Sequence, residues 1–317
     1  MAFRFVMLPP GLQPHWPKAI AEAVPECEVL AFPNAEEAGD ALLDADAIYG
    51  TIPQALFSHA PKLRWIAAPR AGLGGDWFFP ELVESEVVVT NFRGIFDDHL
   101  SHHLFAAILA HAKHLDAYTE AQRQGTWIEA IPFQHLPECT LLIIGCGAAG
   151  IATAKLAKAF GMTALATDAR LEECPDCVDE LYPPSALPQL LPRADYLVML
   201  VPETPNTLGM LGEQEFALMK PSAYLLNVGR GRTVDQPALV KALQSVQIAG
   251  ACLDVFAEEP LPADDPLWKL PNVRITPHIA GEGPHCNERR LEILIENCRR
   301  FAAGRPLMNL VDKRKWF

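Results

Sequence analysis

Long hydrophobic runs are what this sequence most lacks. No stretch approaches the ~18 uninterrupted apolar residues that span a bilayer. The apolar run within the first ten residues is too short for a signal-peptide core, and no small-residue cleavage site follows it. A membrane span is therefore excluded and the cytoplasm is the expected compartment. Basic charge is also scarce, with 26 Lys and Arg against 39 Asp and Glu. Apart from the short Lys313-Arg314-Lys315 there is no basic run, so the footprint that nucleic-acid phosphates require is missing. Low-complexity tracts and obvious internal repeats are absent as well. The single CxxC, Cys174-Pro175-Asp176-Cys177, has no second pair to complete a zinc site and reads as a loop. The eight cysteines read as reduced thiols, because a chain of this size needs no disulfide staples.

Half of the 317 residues are hydrophobic and 21% are charged, as in ordinary globular proteins. The length favours two packed domains, because single cores stop growing beyond roughly 250–300 residues. Short β-like runs at 3–8, 29–32, 47–51, 63–68 and 87–90 alternate with helical patterns, which predicts a parallel sheet flanked by helices. An amphipathic helix is expected next. Asp97 or Asp98 caps it, Leu100, Leu104, Ile108, His111 and Leu115 mark one face, and it ends near Gly125. A second alternating series follows, with runs at 141–144, 164–167, 196–201, 224–228, 250–253 and 273–276, and a last helix spans about 287–303. His99, His102 and His103 lie at helical spacing, but no nearby acid or cysteine completes a ligand set, so a polar helix end and no metal are expected.

The strand at 141–144 runs straight into Gly145-Cys146-Gly147-Ala148-Ala149-Gly150 and then into a good helix. In such a loop the first glycine permits a tight turn and the second lets backbone approach a pyrophosphate. The third lets helix and strand pack closely, and the N–H groups of the helix start face the phosphates. Asp168, at the end of the next strand, is placed to accept hydrogen bonds from ribose hydroxyls and to repel a 2′-phosphate. Arg170 partly offsets that repulsion, so NAD is expected over NADP.

Three segments further on carry chemistry: Asn227 to Asp235 with Arg230 between glycines, Gly250 to Pro260 with Glu259, and Ile275 to Gly281 with His278. Each lies just past a parallel strand, where open α/β sheets bind ligands. Reducing a 2-oxo acid needs a proton donor for the nascent alkoxide, a cation for the carboxylate and carbonyl, and a hydride source. His278, Arg230 and a reduced nicotinamide meet those needs. Glu259 can bond the far imidazole nitrogen and fix the ring.

With these segments, together with Val201-Pro202-Glu203-Thr204-Pro205-Asn206-Thr207 and Leu253-Asp254-Val255-Phe256, the sequence resembles the D-isomer-specific 2-hydroxyacid dehydrogenases over most of its length. The resemblance implies an α/β fold of two doubly wound parallel-sheet domains, a Rossmann cofactor domain (101–283) inserted into a flavodoxin-like substrate domain (1–100 and 284–317). It implies Arg230, Glu259 and His278 as catalytic residues and Asp254 at the nicotinamide carboxamide. Val201, Pro202, Thr207, Val228, Gly229 and Gly281 are implied to line the cofactor beside Gly145, Gly147, Ala148, Ala149, Gly150 and Asp168. A homodimer and a small 2-oxo or 2-hydroxy acid such as glyoxylate or hydroxypyruvate are likewise implied. The family's carboxylate loop matches Pro69 to Asp76, so Arg70, Ala71, Gly72 and Leu73 become substrate contacts along with Arg230 and His278. Arg70 keeps a phosphoglycerate-type substrate open. Ser101-His102-His103 departs from the Ala-Glu-His of many relatives. Formate dehydrogenases have glutamine where this chain has Glu259, which disfavours formate. A non-catalytic NADH-sensing protein of the same fold is the reading from another class.

Overall fold

The computed structural model describes residues 1–74 and 77–316, so Gly75 and Asp76 of the expected carboxylate loop lie outside the described residues. The chain forms two compact units, Met1–Ile95 with Gly283–Phe317, and Phe96–Glu282. The first unit holds β1 (Phe3–Met7), β2 (Cys27–Ala31), β3 (Ala47–Tyr49), β4 (Trp65–Ala67) and β5 (Val88–Thr90). All are parallel, in the order β2-β1-β3-β4-β5. That is the flavodoxin-like arrangement. Both faces are covered, which is why β3 and β4 are buried at every residue and read as unbroken apolar runs. On one face Phe5 stacks on Trp65 at 5.2 Å, and Phe301 of the helix Cys286–Ala302 closes over Trp65 at 5.5 Å. Val6, Ile48, Ile66 and Val89 fill the other face.

The second unit holds β6 (Thr140–Ile144), β7 (Thr163–Thr167), β8 (Glu180–Tyr182), β9 (Tyr196–Met199), β10 (Tyr224–Asn227), β11 (Gly250–Leu253) and β12 (Val273–Ile275). They form one parallel sheet in the order β12-β11-β10-β9-β6-β7-β8. Along β6, Leu141 and Ile143 join a core with Leu104 and Ile108, whereas Leu142 and Ile144 join the opposite core with Leu197 and Leu225. Burying each such side chain is worth about 1.5–3 kcal/mol, so the alternation fixes the register. The strand order reverses between β6 and β9, and in open α/β sheets ligands bind beyond the carboxyl ends at that point.

The structure corrects three local expectations. The expected long helix is two helices, Asp97–Ala112 and Leu115–Arg123, interrupted at His114, whose φ of 52° is left-handed and cannot continue a right-handed helix. Leu115 lies past that break and is 50% exposed, so it leaves the apolar face it was expected to join. Asp97 and Asp98 occupy the first turn, Phe96 being the cap; there the acids meet the positive end of the helix dipole. Strand β8 was not expected, because its three residues are half-buried on a sheet edge and give no apolar run. All eight cysteines are free. Among the described residues no helix is long and apolar enough to cross a membrane.

Candidate active site

The glycine loop shows three different local constraints. Gly145 has a φ of +96°, the left-handed conformation that its turn requires. A Cβ on Gly150 would lie 2.5 Å from the Gly145 carbonyl oxygen, so only glycine lets the helix Ala148–Ala159 start this close to β6. A Cβ on Gly147 would meet nothing nearer than the Arg170 guanidinium, at 3.9 Å. The loop is closed at Gly145 and Gly150, where it packs, and open at Gly147. Ala148 and Ala149 begin the helix, and their N–H groups are among those with no partner inside it.

Asp168, one residue past β7, has a side chain only 6% exposed. Its Oδ2 accepts the Cys146 N–H at 2.9 Å, and its Oδ1 accepts those of Arg170 at 2.8 Å and Leu171 at 3.2 Å. Arg170 Nε lies 4.0 Å from the same carboxylate. The carboxylate thus ties the glycine loop to the end of β7. Among the described residues Oδ2 accepts only this one bond, from Cys146, and keeps a second lone pair.

The other cofactor candidates continue along the strand ends. A Cβ on Gly145 would lie 3.0 Å from Val201 N, and one on Gly229 would lie 3.0 Å from Val201 O, so β6, β9 and β10 converge on Val201. Val228, beside Gly229, is buried. Thr207 turns its hydroxyl to the Pro202 carbonyl at 2.7 Å and accepts the Thr204 N–H at 2.8 Å, so it braces its own loop. Asn227 shapes the Arg230 turn, its Oδ1 accepting from Gly229 N and its Nδ2 donating to Arg230 O at 3.1 Å each. A Cβ on Gly231 would fall 1.9 Å from the carbonyl carbon of Phe256, so this glycine lets the Arg230 turn press on the loop after β11. Arg230 is half-buried, with Nη1 donating to Gly229 O at 2.6 Å.

On the loop after β11, Glu259 Oε1 accepts the Phe256 N–H at 3.0 Å and Oε2 lies 2.7 Å from His278 Nδ1. An ionised carboxylate only accepts, so Nδ1 carries the hydrogen of this bond, and Nε2 is the ring nitrogen that Glu259 does not engage. His278 has a φ of 55°, and its N–H donates to Asp254 O at 2.8 Å. Asp254 is 1% exposed; its Oδ1 accepts from Thr276 Oγ1 at 2.6 Å and Ile279 N at 2.9 Å, and its Oδ2 accepts from Ala280 N at 2.9 Å. A Cβ on Gly281 would lie 3.5 Å from the Phe96 side chain. These contacts link Asp168, the glycine loop, Val201, Gly229, Gly231, Asp254 and His278 into a strip across the carboxyl ends of the sheet. Asn227, Gly231 and Thr276 were not singled out from the sequence: Asn227 braces its own turn, and the partners of Gly231 and Thr276 come from the loop or strand end after β11.

The loop Arg70–Gly74 belongs to the first unit. Phe92 N donates to Arg70 O at 3.2 Å and Asn91 Nδ2 to Ala71 O at 2.6 Å. Because a trans peptide opposes its C=O and N–H, the N–H groups of Ala71 and Gly72 point away from Phe92 and Asn91. Leu73 is buried beneath the loop and Arg70 is exposed. The three histidines near 100 do not cluster with acids into a ligand set: among the described residues no group of three or more His, Cys, Asp or Glu could hold a metal. His103 instead approaches Thr276 Oγ1 at 3.4 Å.

A glycine loop at a helix start, an imidazole braced by a carboxylate and an arginine held in a glycine turn are the groups that a nicotinamide-dependent dehydrogenase requires. Comparison with known proteins makes this specific. Residues 105–280 match the model for the NAD binding domain of D-isomer specific 2-hydroxyacid dehydrogenases. The chain is 35% identical over 302 residues to the glyoxylate reductase of Korarchaeum cryptofilum, covering 93% of this chain and 86% of the relative. It is 35% identical to glyoxylate/hydroxypyruvate reductase B of Yersinia enterocolitica, covering 90% and 89%. The crystal structure of a D-isomer specific 2-hydroxyacid dehydrogenase from Xanthobacter autotrophicus Py2 with NADPH and MES superposes with a TM-score of 0.88 at 28% identity, covering 100% of both chains. The chain belongs to the D-isomer specific 2-hydroxyacid dehydrogenase family: it is an oxidoreductase with that family's NAD(P)-binding domain, acting on a small 2-hydroxy or 2-oxo acid.

Proposed function

We propose that the chain reduces the 2-oxo group of glyoxylate or hydroxypyruvate to a hydroxyl, giving the D-isomer where the product is chiral, and uses NADH in preference to NADPH. The observation that carries this reading is the 2.7 Å His278–Glu259 pair at the end of the strip that begins in the glycine cradle. His278 Nε2 gives its proton to the substrate oxygen as Arg230 holds the carboxylate and polarises the carbonyl. Glu259 keeps the ring oriented and compensates its charge. The glycine loop and Asp168 fit a dinucleotide, which when bound supplies the hydride. Val201, Pro202, Val228, Gly229 and Gly281 line it, Asp254 faces its carboxamide and Thr207 steadies the loop beneath. The second unit is assigned to the cofactor, and the first to the substrate. Ala71, Gly72 and Leu73 offer backbone to the carboxylate, and Arg70 adds a charge beside them.

The preference for NADH rests on the buried Asp168 carboxylate, a fixed negative charge where a 2′-phosphate would approach. The Xanthobacter relative holds NADPH, which makes the choice a direct test. A homodimer through the second unit is supported by its exposed apolar side chains: Leu115 at 50%, Trp127 at 96% and Phe133 at 50%. Loss of NADH absorbance is measured with glyoxylate, hydroxypyruvate, pyruvate, 2-oxoglutarate and phosphohydroxypyruvate, then repeated with NADPH. The highest kcat/KM is expected for glyoxylate or hydroxypyruvate with NADH. Turnover confined to phosphohydroxypyruvate would overturn the substrate assignment and assign Arg70 to a phosphate.

A further inference from the structure

His278 stands on a loop in the left-handed conformation, which a non-glycine residue adopts only when its surroundings hold it there, at a cost of about 1–3 kcal/mol. Asp254 supplies most of that hold. Its carbonyl accepts the His278 N–H, and its carboxylate accepts the Ile279 and Ala280 N–H groups, so three consecutive peptides are fixed to one residue. A fourth bond comes from a side chain. Thr276 Oγ1, at 2.6 Å, gives its single proton to Asp254 Oδ1. The hydroxyl can then only accept from His103, so His103 Nε2, 3.4 Å away, carries hydrogen. The result is a one-way chain, from His103 through Thr276 to Asp254, ending on the buried carboxylate that builds the His278 loop.

We infer that Thr276 is a positioning residue for the acid/base histidine, acting through Asp254, with His103 aligning its hydroxyl. This rests on the proposed role of His278. The hydroxyl satisfies an Asp254 oxygen that also holds Ile279, so its loss leaves a buried carboxylate one donor short and frees the loop. A displacement of about 1 Å at a catalytic group can cost on the order of 100-fold in rate. The role also explains why a histidine at the His103 position need not serve a metal or the helix end.

The test compares Thr276→Val and Thr276→Ser in the absorbance assay, alongside His278→Ala, with NADH binding followed by fluorescence. Thr276→Val, nearly the same shape without the hydroxyl, is expected to lower kcat about 10- to 100-fold while changing the Kd for NADH by less than about twofold. Thr276→Ser, which restores the hydroxyl, is expected to return kcat to within about threefold of the parent. His103→Phe is expected to give a smaller loss in the same direction. If Thr276→Val does not fold, Thr276→Ala takes its place with the same expectation. Unchanged kcat in the hydroxyl-less variant, or an equal loss in Thr276→Ser, overturns the inference. If His278→Ala itself keeps full turnover, the failure belongs to the proposed role of His278, not to the positioning chain.

Discussion

Two buried aspartate side chains, Asp168 after β7 and Asp254 after β11, stand one residue past a parallel strand and each accept three hydrogen bonds. Asp168 is bound by backbone N–H groups alone, one from the loop after the neighbouring strand β6. Asp254 binds the loop after its neighbour β12, but one of its donors is the Thr276 side chain. Both carboxylates therefore serve first as ties between adjacent strand ends. The difference is what stands beside them: Asp168 has Arg170 at 4.0 Å, whereas Asp254 has the backbone that carries His278. Loss of the first should alter which dinucleotide is accepted, and loss of the second should alter turnover.

That contrast can be broken in order of effect. Asp254→Ala strands the Thr276 hydroxyl and the Ile279 and Ala280 N–H groups, and turnover is expected to fall about 100-fold or more. Steady-state kinetics checks this, and a loss of less than about threefold would merge the two aspartates into one class. Asp168→Ala is expected to raise kcat/KM with NADPH relative to NADH by about 10-fold, with Arg170 left to meet a 2′-phosphate. An unchanged ratio would remove Asp168 as the discriminating charge.

The smallest effect concerns stability where the helix Asp97–Ala112 packs on the same sheet. His111 stacks on Tyr224 at 4.0 Å, near Tyr196, His114, Asp116 and Arg274, and burial pushes its imidazole down to about 4. Between the ordinary histidine value and about 4 the unfolded chain binds a proton that the folded chain refuses. Stability is therefore lost as pH falls through that window, by about 1–2 kcal/mol once partial exposure is allowed for. Chemical denaturation from pH 7 to 4 should show His111→Phe with a shallower decline than the parent; parallel curves would show that His111 contributes nothing.

Much of this arrangement was legible in the sequence because local patterns carried it. The apolar cores of all strands except β8, the glycine loop and the two-sheet architecture follow from periodicity and turn chemistry. Arg230, Glu259 and His278 were singled out by their place after successive strands, and the structure puts Glu259 on His278. What stayed hidden depends on distant partners. Nothing near Gly231 announces that Phe256 will press on it, and nothing near Thr276 announces Asp254. The helix break at His114 was invisible because apolar spacing carries straight through it to Leu115.

The central claim is that His278, oriented by Glu259, moves the proton. Measuring kcat with glyoxylate and NADH, and NADH binding by fluorescence, for the parent and His278→Ala tests it most directly. The expected result is a loss of about 100-fold or more in kcat with NADH binding intact. Unchanged turnover in the variant would contradict the account.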